Sequence, residues 1–324
     1  MSITTSPRNT NRHTASTISS LQRPIFIIGC PRSGTGLLHH LMRLHKDLAW
    51  ITPFTSWVCG KRWFDAVPPG LVRPLDHLRE KLPDSVLPAF LHGPYDGSLS
   101  IPDLLETSEG HSIWNRFCDR TPDDSADADA ATPQAVATLR SIVRWHLRYH
   151  NRPRFIGKTP RHALRLPFLR AVFPDALFIH LVRDGRAVAS SILRRRQASM
   201  APTDKWWGAR PPGWESMLDA PSIVQAAWTW QTIVETIERE SEAHEKSTHT
   251  VYYESLCRAP KQTLRAVFDV ADLNPSGMMN PEAESALSKI RSPHEKWRTG
   301  LDKEQLAAID FLAPLLKRHG YADA

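Results

Sequence analysis

The run Ile25-Phe26-Ile27-Ile28-Gly29-Cys30-Pro31-Arg32-Ser33-Gly34-Thr35-Gly36 decides the fold. Four consecutive apolar residues, three of them β-branched, fit a strand buried on both faces. A glycine-bounded loop follows and leads into an apolar, helix-like segment through His45. In such a strand-loop-helix turn, backbone N–H groups converge on an anion and the helix N-terminus adds partial positive charge. The run predicts an anion site at the end of a buried strand.

Working outward, the alternation returns. Phe155-Ile156-Gly157 reads as a strand and Arg161 to Val172 as a helix. Pro174-Asp175 then turns the chain into a strand over Leu177 to Val182, followed by a helix from Gly185 to about Arg196. A long helical pattern ends near Glu245, Val251-Tyr252-Tyr253 gives a short strand, and the rest is helical with a break near Arg291 to Gly300. Strands alternating with helices predict an α/β fold, a parallel sheet of about four or five strands covered by helices on both faces.

Two stretches interrupt this pattern and read as insertions, residues 53–133 and 197–221. The second carries Trp206, Trp207 and Trp214 and has the composition of a lid. The acidic tract from Asp123 to Asp129 reads as a solvated loop tip. Residues 1–22 form a polar, basic arm expected to be disordered, which leaves one domain over residues 23–324. The arm has no apolar run able to act as a signal or a membrane span, so the expectation is a cytoplasmic protein with no transmembrane segment. Cys30, Cys59, Cys118 and Cys257 lie far apart with no C-x-x-C pair, which signals neither a zinc site nor a disulfide framework. A net charge of +7, from 41 Lys and Arg against 34 Asp and Glu, suits an anionic ligand.

The loop departs from the nucleotide-triphosphate pattern G-x-x-x-x-G-K-[ST], in which Lys reaches the terminal phosphates and Ser or Thr holds magnesium. Thr35 and Gly36 stand in those two places, and Arg32 supplies the cation from within the loop. This disfavours a kinase or ATPase and calls for no metal. A divergent P-loop kinase stays as an alternative, weakened by the lack of a recognisable magnesium-binding acid near Val182. A catalytically silent nucleotide-binding or nucleic-acid-binding protein is the other; no aromatic sheet pattern supports nucleic acid as a partner.

Pro31-Arg32-Ser33-Gly34-Thr35, followed later by Arg183-Asp184-Gly185-Arg186-Ala187-Val188-Ala189-Ser190-Ser191, resembles the paired motifs of the sulfotransferases that use 3′-phosphoadenosine 5′-phosphosulfate (PAPS). The likeness is closest to the bacterial and tyrosylprotein branch, through Gly157-Lys158-Thr159-Pro160 and Phe173-Pro174-Asp175. It implies a P-loop nucleoside-triphosphate-hydrolase-like fold and PAPS as co-substrate, with no metal. Arg32, Ser33, Gly34, Thr35 and Gly36 would take the 5′-phosphosulfate. Arg183, Ser191 and Arg195 would take the 3′-phosphate, with further contacts from Tyr253 and Lys296. Three positions depart from the family. Gly36 stands where Ser or Thr is common, Asp47 to Phe54 lacks the tyrosylprotein branch's Glu, and Pro160 occupies the place of the cytosolic branch's His.

Sulfuryl transfer requires an in-line approach, neutralisation of the leaving phosphate and removal of the acceptor proton. Arg32 and Lys158 suit the second task. For the third, Glu109 is the favoured general base, on the expectation that an aromatic-lined insertion desolvates it and raises its pKa; His162, His111 and His39 are rivals. Trp206, Trp207 and Trp214 are candidates for contact with the acceptor, a small molecule, saccharide or lipid.

Overall fold

The computed structural model describes residues 21–52, 56, 108–118, 121–199, 205–278, 280–290 and 296–321. Nearly all of the N-terminal arm, most of the first insertion and Cys59 lie outside these residues. In chain order the elements begin with β1 (Ile25–Ile28), α1 (Thr35–Met42), β2 (Leu48–Ala49), α2 (His111–Cys118) and α3 (Pro133–His150). Next come β3 (Arg154–Lys158), α4 (Leu166–Val172), β4 (Leu177–Val182), α5 (Gly185–Ser199), α6 (Ser222–Glu242) and β5 (Thr248–Tyr252). The chain continues through α7 (Tyr253–Arg258), α8 (Pro260–Val270), α9 (Pro281–Ser288), α10 (Lys296–Gly300), α11 (Lys303–Ala308) and α12 (Ala313–Arg318). No helix among the described residues is long and apolar enough to cross a membrane.

Among the described residues all strand pairings are parallel, in the order β2-β3-β1-β4-β5, as the α/β reading expects. β1 is central: Ile25 stands between Ile156 and Leu177. Side chains alternate across a strand, so β1 supplies two cores. Phe26 and Ile28 pack with α3, α4, α5 and α6 on one face, while Ile25 and Ile27 pack with α1 and α8 on the other. Every residue of β1 and β4 is buried, so β1 reads as an unbroken apolar run and β4 as one interrupted by the buried His180.

Three local differences from the sequence reading have backbone causes. The helix expected over 161–172 is split into a 3-10 turn, Pro160–Leu164, and α4, because Pro167 cannot continue a helix and instead sits in a first turn. The last strand runs Thr248–Tyr252, which leaves Tyr253 at the strand's C-terminal exit. Motif reading assigns nothing to α3, yet Thr132 caps it by accepting from the Ala135 N–H at 3.2 Å, Pro133 opens it and Asn151 at φ 54° closes it.

Candidate active site

The turns leaving β1, β3, β4 and β5 meet at one edge of the sheet, where the strand order changes direction and open α/β sheets bind ligands. They surround a cavity of about 700 Å³ lined by Arg32, Gly34, Thr35, Gly36, Glu109, His111, Lys158, Arg161, Arg183, Arg195, Trp207 and Tyr253, among others. Two glycines make the phosphate loop possible. At Gly29 (φ +149°) a Cβ would stand 2.6 Å from the Leu181 carbonyl oxygen; at Gly34 (φ +98°) it would come within 2.7 Å of the Tyr253 ring. Arg32 also has positive φ, at 72°, and this turns its side chain out of the loop toward α5. A Cβ on Gly36 would meet only Lys158 Nζ, at 4.0 Å, so the family's missing hydroxyl leaves open space beside the lysine.

Arg32 and α5 form a cluster of guanidinium groups. Arg32 Nε donates to Ser191 Oγ at 3.1 Å, and Arg183 donates to the Arg32 carbonyl at 3.1 Å while its guanidinium lies 4.3 Å from the centre of the Tyr253 ring. Burial, and then the charges of Arg195, Arg183 and Arg194, pull the Arg32 pKa down. Like charges gathered at one cavity edge make a site for an anion with several charged oxygens. Arg194, which motif matching does not single out, belongs to this group and also donates to Ser190 Oγ at 3.4 Å; its signal is the Arg194-Arg195-Arg196 run on α5. Ser33 lies buried in the loop and does not line the cavity. Lys296 opens α10, and its side chain lies outside the described residues.

The strand exit that bears Arg183 is held from behind. Trp230 Nε1 donates to the Arg183 carbonyl at 3.1 Å, and Arg186 binds the Asp184 carboxylate through two N–H groups at 3.0 and 2.8 Å. Glu254 accepts from the Asp184 N–H at 3.3 Å and from the Tyr321 hydroxyl at 2.6 Å. The chain's C-terminal end thereby reaches the backbone next to Arg183 and Tyr253.

Opposite the arginines, Glu109 bridges two side chains: Oε1 pairs with Lys158 Nζ, and Oε2 takes a hydrogen bond from His111 Nε2 at 2.8 Å. The raised pKa expected for Glu109 is overturned. Burial does push its carboxyl upward, but the His111 hydrogen bond and the Lys158 charge outweigh it and hold the pKa at about 2. Lys158 is 12% exposed while Glu109 is 33% exposed, so the lysine end of the pair is the more shielded from water. His39 and His162 are fully buried. Burial together with Lys158 pushes His39 down to about 3, and burial followed by Arg165 pushes His162 well below its ordinary value. Neither lines the cavity; His111 does.

The tryptophans divide. Trp207 lines the cavity, whereas Trp206 packs edge-on against Trp214 and Trp228, with ring centres 5.5 and 6.1 Å away, and Trp214 carries the Arg210 guanidinium on its face at 4.8 Å. Trp206 and Trp214 therefore support the segment that presents Trp207. The expectation of a solvated acidic tip also fails at one residue. Asp124 is 7% exposed, forms an ion pair with Arg161 at 3.0 Å and accepts from the Arg210 N–H at 2.8 Å. Nothing in the local charge run distinguishes it from its neighbours.

A family model described as "Sulfotransferase family" matches residues 24–276. Protein-tyrosine sulfotransferase A of Caenorhabditis elegans is 23% identical over 52% of this chain, a match that spans only 45% of the worm protein. The omega-hydroxy-beta-dihydromenaquinone-9 sulfotransferase Stf3 of Mycobacterium bovis is 24% identical over 92% of this chain and 75% of its own length. Among solved structures, sulfotransferase STF9 of Mycobacterium avium superposes with a TM-score of 0.57 at 20% identity, over 95% of this chain and 79% of that one, a likeness of fold.

Proposed function

The chain belongs to the sulfotransferase family, and from that premise we propose that it transfers a sulfuryl group from PAPS to an acceptor hydroxyl at the cavity between α5 and Glu109. One observation carries the reading: Arg32, Arg183 and Arg195 stand at one side of the same cavity whose other side holds the Lys158–Glu109 pair. A donor with two anionic ends spans such a site, its 3′-phosphate on Arg183, Ser191 and Arg195 and its 5′-phosphosulfate over Gly34, Thr35 and Gly36. Tyr253, which is packed on Gly34 and covered by Arg183, walls the nucleotide side.

In the reaction the acceptor oxygen bonds to sulfur while the bond from sulfur to the bridging phosphate oxygen breaks. Negative charge grows on the departing phosphate, where Lys158 and Arg32 neutralise it. The acceptor proton goes to Glu109. A carboxyl at about 2 is a poor base, and both of its oxygens are engaged. Anionic donor gives Lys158 a second partner; as the lysine turns to it, Oε1 is released and the Glu109 pKa rises into a useful range. His111, on Oε2, keeps the carboxylate aimed at the cavity. The acceptor is a hydroxyl on a small molecule, saccharide or lipid that approaches past Trp207 and Arg161.

Calorimetric titration with 3′-phosphoadenosine 5′-phosphate (PAP), using ADP for comparison, tests the donor assignment. Tight PAP binding, weak ADP binding and a loss of about tenfold or more in Arg183→Ala are expected, the scale of a charged hydrogen-bond pair to phosphate. Equal binding of the two nucleotides, or binding of neither, would overturn the reading.

A further inference from the structure

Asp124 lies apart from every motif, yet its one carboxylate joins the two walls that flank the acceptor approach. Oδ1 pairs with the Arg161 guanidinium, 3.0 Å from Nε, and faces Arg165 NH2 at 3.9 Å. Oδ2 takes the Arg210 N–H at 2.8 Å. The backbone repeats both links, since the Asp124 N–H donates to the Arg210 carbonyl at 2.8 Å and Arg165 Nε donates to the Asp124 carbonyl at 2.8 Å. Asp123 holds this turn in place by accepting from the Ser125 N–H at 2.8 Å and from Thr121 Oγ1 at 3.0 Å.

Both linked segments reach the cavity. Arg161 follows Lys158 on the strand exit, while Trp207, Gly208 and Ala209 form a roof just before Arg210. Trp206 Nε1 closes the roof on itself by donating to the Ala209 carbonyl at 3.0 Å. Gly208, at φ +92°, passes so near the phosphate loop that a Cβ there would sit 3.8 Å from Pro31 Cγ. A buried carboxylate facing two guanidinium groups and one N–H is well satisfied, and removing its charge leaves those donors uncompensated.

We propose that Asp124 is a positioning residue for the acceptor side: it holds the Trp207–Arg210 roof over the phosphate loop, fixes Arg161, and so keeps water from the donor's sulfuryl end. This rests on the donor assignment above, but its test separates the two. In Asp124→Asn, amide exchange over residues 205–214 speeds up by about tenfold or more, as a local opening would. Protection over residues 25–36 and 177–191 is unchanged. PAP affinity stays within about twofold, since the arginine group is a separate set of contacts. Acceptor-free breakdown of PAPS to PAP rises about threefold as the roof ceases to exclude water.

Unchanged protection over 205–214 overturns the proposal. Protection lost equally in all three segments, or a local loss with PAPS breakdown unchanged, also overturns it and leaves Asp124 a fold staple. Asp124→Glu, which keeps the charge on a longer arm, guards against a variant that does not fold; it is expected to open the roof by a smaller factor in the same segment. If wild-type protein binds no PAP, the donor assignment fails, while the exchange measurement still decides whether Asp124 holds the roof.

Discussion

The two sides of the cavity, which the proposed function gives to donor and acceptor, are assembled in different ways. The donor side uses two short runs, Pro31 to Thr35 and Arg183 to Ser191, which a parallel sheet places side by side because β1 and β4 are neighbours in register. The acceptor side is gathered from far apart: Glu109 meets Lys158 across 49 positions, and Asp124 meets Arg210 across 86. A nucleotide with fixed phosphates can be met by local backbone geometry, which a short motif can encode. On the proposed reading the acceptor would be met by side chains on insertions, whose placement depends on tertiary packing.

Lys158 stands on the seam between the sides, and its loss has the largest expected effect. Lys158→Met should lower turnover by about a hundredfold to a thousandfold, the scale for removing one group that stabilises developing charge. PAP, whose 5′-phosphate carries the charge that develops on the leaving group, should also bind more weakly, by about tenfold. Unchanged turnover together with unchanged PAP affinity would take the lysine off the seam and break the division. Glu109→Gln comes next, with turnover down about a hundredfold and PAP binding unchanged. Full turnover would pass the base role to another group, with His111 the nearest.

The same carboxylate gives a pH test with a definite sign. Its folded pKa of about 2 lies below the ordinary 4.5, so the stability it contributes is fully present above 4.5 and is lost as pH falls through 2. The melting-temperature gap between wild type and Glu109→Gln should therefore narrow from pH 6 to pH 3. A gap that widens on acidification would mean that Glu109 is not held by Lys158 and His111.

The sheet was legible, and the motifs proposed for the donor side lie together on it, because their signals are local. Ile25 to Ile28 is a buried strand by composition alone, Gly29 and Gly34 mark the loop, and Arg183 and Ser191 are eight residues apart on one strand exit and helix. The acceptor side defeated the same reading for a physical reason. Whether Glu109 is raised or lowered depends on Lys158 and His111 reaching it, and an aromatic neighbourhood in sequence carries no sign of that. Asp124 looked solvated because charge runs usually are; its partners Arg161, Arg165 and Arg210 come from other segments. α3 follows the first insertion and carries no motif, so only its apolar spacing and the Thr132-Pro133 helix start announce it.

The smallest expected effect probes whether the donor motif is as self-sufficient as this contrast implies. Tyr321 hydrogen-bonds Glu254 at 2.6 Å, Glu254 accepts from the N–H next to Arg183, and Tyr253 precedes Glu254 in the chain. One hydrogen bond is worth about 1 kcal/mol net. In Tyr321→Phe, Trp230 and Arg186 still hold the strand exit, so only part of that loss should reach the arginines. PAP affinity should fall about twofold to threefold, with exchange over residues 205–214 unchanged. A loss of about tenfold would show that the C-terminal end completes the donor site. The contrast would then lie in the distance over which each side is braced, since even a motif read from nine contiguous residues would depend on a hydroxyl more than a hundred positions away.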